Sequence, residues 1–405
     1  MSERINFSPA TRQLVAERAG HECSMPTCRQ RTSGADTGTE FASRTGKACH
    51  IYSAAENGPR GQGGLSDEEL SSPDNCIWLC SEHGEMVDKN RGKGHPPEEL
   101  IAFKALQEAR ISRERQGLYI PVGWIFELIV HHAPIFRNDQ VFRLAKLNLL
   151  VGSNMTGKTA ISEWLAGFFD PSFLKRWLRQ HVKDLSVEMT FLNPSSHRLH
   201  LEINAQNSLS YRIDDRTVPF NPTSLRIIRL GEIRFHGNDE DDDAAIARIL
   251  NMPAAIIRNL LDEVHRFRHA KVRNLRFEQD AETGKRRLYA DVAGTVPGLP
   301  LHALSGREVE RIFIELATAA ARVSGFYTPT LLILDGCPSI VFEGFFDFYS
   351  HHFLDPENHF QTLMCIPTRS IDPENIRWNG WQIVHTEGKE PDVKLQTGFN
   401  PSKSG

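Results

Sequence analysis

The chain has 405 residues, 40% of them hydrophobic and 24% charged, with a formal net charge of −4. That length admits two or three domains, and the composition is that of a soluble globular protein. A charge this close to balance excludes a chain that is basic throughout, so any contact with nucleic acid must use local patches.

No stretch approaches the length of a membrane span, and Met1-Ser-Glu-Arg-Ile-Asn-Phe7 has no apolar signal region. Of the seven cysteines, Cys23, Cys28, Cys49, Cys76 and Cys80 lie early, and Cys337 and Cys365 lie late. An odd, clustered set without a signal sequence points to metal ligation in a reducing compartment rather than to a disulfide framework. A cytoplasmic location is expected.

Ser8-Pro9 opens a helix by N-cap and first-turn preference, and Gly20 closes it. Cys23 and Cys28, separated by four residues, then pair with Cys80 and His83 further on. Two tight pairs in one short segment give a Cys₃His set with the spacing of structural zinc. Between them lie Ala48-Cys49-His50-Ile51, Asn57-Gly58-Pro59-Arg60 and Asn75-Cys-Ile-Trp-Leu-Cys80.

With these pieces, about the first 90 residues resemble the HNH endonuclease family, whose ββα-metal core is a hairpin, a helix and one catalytic divalent cation. The resemblance implies that His50 is the general base and that Asn75 orients that histidine or the metal loop. An imidazole beside carboxylate and amide oxygens also suits a hard cation on a scissile phosphate. The pattern departs at Gly84, where the family has its third histidine. Three readings remain open: His83 takes the catalytic metal, Asp88 or Glu85 takes it, or the nuclease is inactive. Asp88 is preferred, because similar modules that lack the third histidine keep a downstream aspartate.

Asp88 to His95 is a short basic, glycine-rich loop, and Pro97 to Arg115 has the apolar spacing of one helix. The expected domains are residues 1–117, 118–392 and a frayed tail at 393–405. From residue 120 strand-like runs appear: 124–130, 141–144, 147–151, 187–191, 199–203 and 225–230. The strand at 147–151 leads into Gly152-Ser-Asn-Met-Thr-Gly157-Lys158-Thr159 and then a helical run from Ala160 to Phe168. This is the P-loop pattern, in which glycines let backbone N–H groups point at phosphates and the helix N-terminus adds positive partial charge. Gly152, Asn154 and Gly157 shape the loop, Lys158 reaches the phosphates, and Thr159 ligates Mg²⁺. ATP or a close relative is the expected ligand.

Asn238 to Asp243 is an acidic run expected at a solvated helix start, and residues 264–287 are locally basic, expected as a solvated helix and a hairpin at Glu282-Thr-Gly284. Leu304-Ser305-Gly306-Arg307-Glu308 opens another helical run, and Thr330-Leu-Leu-Ile-Leu-Asp335 is a buried strand ending in an acid. P-loop, Ser-Gly turn and acidic strand end, in that order, resemble the ABC-type ATPase heads of recombination and chromosome-maintenance proteins. Ser305 and Gly306 then match the signature that faces a partner's nucleotide, and Asp335 matches the Walker B acid on Mg²⁺.

The glutamate expected next is Gly336, and the histidine expected after the strand 361–366 is missing from Pro367-Thr-Arg-Ser370. Hydrolysis should therefore be slow, with Glu343 a weak substitute. The fold expected is α/β, a zinc-stabilised ββα-metal domain joined to a compact ABC-type P-loop domain. The function expected is an ATP-gated HNH endonuclease cutting DNA, or else a nucleotide-dependent DNA clamp with an inactive zinc module. Cofactors would be ATP, Mg²⁺ or Mn²⁺, and structural Zn²⁺. Partners would be nucleic acid, a second copy of the chain through the heads, and defence-system subunits. The last rests on a likeness to Septu-type antiviral systems, which pair the same two activities on separate chains.

Overall fold

The computed structural model describes residues 5–26, 28, 30–36, 40–115, 123–179, 184–192, 196–219, 225–231, 233, 240–267, 270–337, 340, 345–355, 357–367 and 381–397. Residues 117 and 118, at the expected domain boundary, lie outside this set, as do Glu343 and residues 368–370.

The chain is mixed α/β. Helix α1 (Pro9–Arg18) starts on Ser8, whose hydroxyl accepts the Thr11 N–H, and ends before Gly20 at φ +63. Strands β1 (Ser33–Ala35) and β2 (Ala42–Arg44) form a small ribbon. Strand β3 (Gly46–His50), helix α2 (Asp67–Leu70), strand β4 (Cys76–Cys80) and helix α3 (Ser81–Met86) follow. β3 and β4 pair antiparallel with His50 opposite Cys76, and α3 starts directly after Cys80, giving a ββα unit.

Helix α4 (Pro97–Arg115) touches both halves of the molecule. Leu100 and Phe103 enter the small core of Ile51, Leu70, Ile77, Leu79 and Val87. Ala102, Leu106 and Ala109 instead pack on Trp124, Ala145 and Leu192 of the following domain.

That domain is two six-stranded sheets with a helix between them. The antiparallel sheet comprises β5 (Trp124–His132), β6 (Gln140–Arg143), β8 (Leu185–Leu192), β9 (Ser196–Ile203), β10 (Leu209–Ile213) and β11 (Arg216–Val218). The other contains β7 (Leu147–Gly152), β12 (Arg226–Leu230), β16 (Thr330–Asp335), β17 (Gln361–Ile366), β18 (Trp381–Glu387) and β19 (Lys394–Thr397). Its order is 12-16-17-7-18-19, parallel except for the last pair.

Helix α5 (Lys158–Gly167) fills the space between the sheets with Ile161, Trp164 and Leu165. Strand alternation sends Leu150, Leu331, Ile333 and Leu363 to that side. Leu149, Leu332, Leu334 and Met364 go to the other. There they meet α6 (Asp242–Leu250), α7 (Ala254–His265), α8 (Gly306–Tyr327), α9 (Phe345–Leu354) and the sheet of β13 (Val272–Gln279), β14 (Arg286–Val292) and β15 (Leu299–Pro300).

Three expectations are corrected. The chain does not fray at residue 393: Val393 is buried and β19 pairs with β18. The acidic start of α6 is not solvated, because Asp242 is fully buried against Arg287 at 3.0 Å, and Arg286 pairs with Asp241 and Asp243. The basic run forms the hairpin that its Glu282-Thr-Gly284 turn implied, as β13–β14, but not the expected solvated helix, since α7 ends at His265; of its last arginines Arg287 is buried on Asp242 and Arg286 stays partly exposed.

Candidate functional sites

The P-loop sits between β7 and α5. Gly152 lies opposite Thr386 of β18, and a Cβ on Gly152 would stand 1.8 Å from the Thr386 hydroxyl oxygen. Only glycine lets the neighbouring strand pass so closely. Gly157 has φ +82, and a Cβ there would meet the Phe136 ring at 2.5 Å. Thr156 ties the loop down, donating to the Ser153 carbonyl at 2.8 Å and lying 2.5 Å from the Thr386 hydroxyl. Asn154 is exposed on the loop.

The Lys158 ammonium curls over the loop and donates to the carbonyls of Gly152 and Ser153, each at 2.7 Å. Burial lowers its pKa from the ordinary lysine value, so an anion that restores its charge balance would be bound favourably. The Thr159 hydroxyl donates to Asp335 Oδ1 at 3.3 Å across 176 residues of sequence. The two expected Mg²⁺ ligands are thus neighbours, and their hard oxygen donors suit that ion.

Two partners of Asp335 were missed in the sequence. Ser162 donates to Asp335 Oδ2 at 3.3 Å, and Arg229 of β12 donates to the same oxygen at 2.8 Å. Ser162 could have been found, one helical turn beyond Thr159. Arg229 could not, because only the parallel pairing of β12 with β16 brings it there.

Gly336 follows Asp335 with φ +88. An L side chain rarely adopts that backbone conformation, so the position of the expected glutamate is closed by backbone shape as well as by residue type. Ser305 and Gly306 stand exposed at the N-terminus of α8, with the Ser305 N–H donating to the Glu308 carboxylate at 2.7 Å. A Cβ on Gly306 would meet nothing within 4 Å among the described residues.

In the N-terminal module the ligand atoms of Cys23, Cys28, Cys80 and His83 all lie within 4.8 Å of one another. His83 Nδ1 is 3.0 Å from Cys80 Sγ and 3.8 Å from Cys23 Sγ. Tetrahedral zinc needs ligand separations of about 3.5–3.8 Å, which these distances bracket, so small side-chain shifts let the four residues hold the ion. Cys23 and Cys28 lie on a turn fixed by the Cys28 N–H to the Met25 carbonyl, and Ser24 donates its N–H to the Trp78 carbonyl of β4. Burial pushes the Cys23 thiol up to about 12, so a metal would enter by displacing protons.

The residues named for phosphodiester chemistry are placed differently. The His50 ring stacks on Phe7, with centroids 3.9 Å apart and planes 18° from parallel. Phe7, Cys76 and Ala48 make that face of the hairpin a small apolar cluster. The other face, toward α3, carries Lys47 and Cys49. Lys47 pairs with Glu85, and a Cβ on Gly84 would stand 3.0 Å from Cys49 Sγ. Burial first and the nearby Asp88 charge second push the Cys49 thiol up to about 12.

Asn75 is buried with its amide fully engaged: the Tyr52 N–H donates to it at 2.7 Å, and it donates to the Tyr52 and Leu70 carbonyls, each at 3.0 Å. It pins the connection between β3 and β4. Arg60 ties the end of β3 to Asp88. Its side chain is 3% exposed and donates to the carbonyls of His50, Ile51 and Val87 and to Asp88 Oδ1, the last at 2.7 Å. Gly92 leaves it room, since a Cβ there would be 2.5 Å from Arg60 Nη1.

No family model matches the chain, and no curated protein matches it. Solved structures align with about two thirds of the chain at low identity. An Smc head bound to the C-winged helix domain of ScpA has a TM-score of 0.49 at 14% identity, covering 69% of this chain and 98% of that one. An SMC head domain from Thermotoga maritima has a TM-score of 0.43 at 12% identity, covering 68% and 99%. The recombination mediator RecF with ATP has a TM-score of 0.43 at 9% identity, covering 69% and 99%. Among the described residues no single helix is long and apolar enough to cross a membrane.

Proposed function

We propose that the chain is an ATP-gated endonuclease acting on DNA, with an ABC-type head that binds nucleotide and a zinc-stapled ββα module that cuts. The observation that carries the nucleotide half is the meeting of Thr159 with Asp335 beside a loop that only glycine allows at Gly152. Lys158 and the loop N–H groups hold the phosphates, and Thr159 and Asp335 hold Mg²⁺. The exposed Ser305–Gly306 turn completes the nucleotide site of a second copy, so ATP closes a homodimer. With Gly336 in place of a catalytic carboxylate, nucleotide binding rather than turnover sets the state of the dimer.

Cutting is supported by Arg60, a buried arginine that spends its donors on the His50–Ile51 turn and on Asp88. In this reading His50 is the base, Asp88 a ligand of the divalent cation, and Asn75 the pin of the intervening loop. Zinc is held by Cys23, Cys28, Cys80 and His83, and Mg²⁺ or Mn²⁺ serves the cut. A second reading, a DNA clamp without cleavage, is favoured by the His50–Phe7 stack and by the Cys49 thiol facing Gly84. Plasmid cleavage with Mg²⁺ or Mn²⁺ decides between them, measured with ATP, with a non-hydrolysable analogue and without nucleotide. The nuclease reading expects cutting by wild type with either nucleotide and none by His50→Ala. DNA binding that depends on nucleotide, with equal and negligible cutting by both proteins, leaves the clamp.

A further inference from the structure

We propose that Arg229 is a resident cation on Asp335 that a divalent metal must displace, and so sets how much Mg²⁺ the head needs before it holds nucleotide. The inference rests on the nucleotide-binding reading. Asp335 accepts from Thr159, Ser162 and Arg229, and the arginine bond, at 2.8 Å, is the shortest of the three. A charge-assisted bond between side chains that are only 21% and 11% exposed is stronger than its neutral neighbours. The carboxylate that Mg²⁺ would use is therefore already neutralised.

The bond is also built to be given up. Only one Arg229 nitrogen reaches Asp335, although a guanidinium can offer a carboxylate two parallel bonds. Its Nε is buried and has no acceptor among the described residues. The guanidinium lies over the Phe173 ring at 5.9 Å, in the turn Pro171–Leu174 that follows α5. That contact gives it a resting place within the same pocket when Asp335 is engaged elsewhere. A purely structural pair would satisfy the fork, and a phosphate ligand would have no need to hold Asp335. Two cations drawn to one carboxylate at close range repel one another, so each weakens the other's hold on it.

The test is a Mg²⁺ titration of fluorescent ATP-analogue binding to the full-length protein, with wild type, Arg229→Met, Arg229→Lys, Asp335→Asn and the double variant Arg229→Met/Asp335→Asn. Removal of the guanidinium is expected to lower the half-saturating Mg²⁺ concentration by about tenfold, the usual scale of such couplings. Arg229→Lys, which keeps a cation, should stay near wild type and shows that the site tolerates substitution. In the Asp335→Asn background the Arg229 effect should vanish, because the arginine acts through that carboxylate. An unchanged half-saturation in Arg229→Met overturns the proposal, as does an equal loss of affinity at every Mg²⁺ concentration. A wild-type protein that binds no analogue at saturating Mg²⁺ overturns the nucleotide reading itself.

Discussion

In the N-terminal module the strands are three to five residues long, and the core beneath the hairpin is a handful of side chains around Ile77, Leu79 and Val87. In the head, strands of up to nine residues stack on both sides of α5, and Trp164, Phe136 and Phe142 are buried completely or nearly so. The module compensates with polar staples: the Cys₃His set, Asn75 across the loop, and Arg60 across its exit. A small unit cannot bury enough apolar surface to hold itself, whereas a large one can. The difference predicts which perturbations each half tolerates.

The largest effect should come from zinc. Chelation, or Cys80→Ala, should unfold residues 5–95 as a unit while the head stays intact, since structural zinc contributes on the order of 10 kcal/mol to such folds. Limited proteolysis read by mass spectrometry checks this, alongside metal content of the protein purified without chelator. A module that stays protease-resistant without metal would break the contrast, because its apolar core would then suffice.

The head's dependence on burial can be probed through pH. Glu315 of α8 is completely buried, and burial raises its pKa from 4.5 to about 8. It accepts the Lys271 N–H at 3.1 Å and lies 3.6 Å from His352 Nε2 of α9, with Tyr349 and Lys271 also facing the pocket. A folded-state pKa above the unfolded value means that its contribution is complete below about 4.5 and is lost as pH rises through about 8. Denaturant unfolding of wild type and Glu315→Gln between pH 5 and 9 should therefore diverge. The variant is expected to be more stable at the alkaline end by about 2–4 kcal/mol. Parallel pH profiles would show that His352 or Lys271 carries the balance instead.

The two halves also differ in how much of them the sequence disclosed. The P-loop, the buried strand ending at Asp335 and the spacing of Cys23, Cys28, Cys80 and His83 are local patterns, and local spacing is what a linear sequence displays. Pro97–Arg115 has the bounds its apolar spacing implied. What stayed hidden depends on partners far along the chain. Arg229 is 106 residues from Asp335, and Arg287 is 45 from Asp242, so a basic run and an acidic run that looked solvated neutralise one another inside. His50 was legible as a residue but not as a direction, because which face of a short strand meets α3 is decided by packing against Phe7.

The smallest expected effects concern two glycines, one in each half, at positions where the resembled families carry functional side chains. Gly84 has space limited by a neighbour: its nearest obstacle is Cys49 Sγ at 3.0 Å from a built Cβ, and the next, Lys47 Cδ, is at 3.6 Å. Gly336 is limited by its own backbone at φ +88. The first obstacle can be removed by a second substitution and the other cannot. Gly84→His should destabilise the module by about 1–2 kcal/mol through overpacking, and adding Cys49→Ala should recover most of that loss. Gly336→Glu should cost the head a similar 1–2 kcal/mol of left-handed strain, with no neighbouring substitution able to relieve it. It should also leave ATP hydrolysis slow, because a side chain on a distorted backbone will not sit where an ordinary strand end would hold it. Thermal unfolding of the two single variants and the Cys49→Ala/Gly84→His pair, with ATP turnover for Gly336→Glu, separates the two kinds of limit. If Cys49→Ala fails to rescue Gly84→His, the α3 face is closed by more than the thiol. If Gly336→Glu hydrolyses ATP faster than wild type, the backbone at Asp335 is more pliable than its conformation implies.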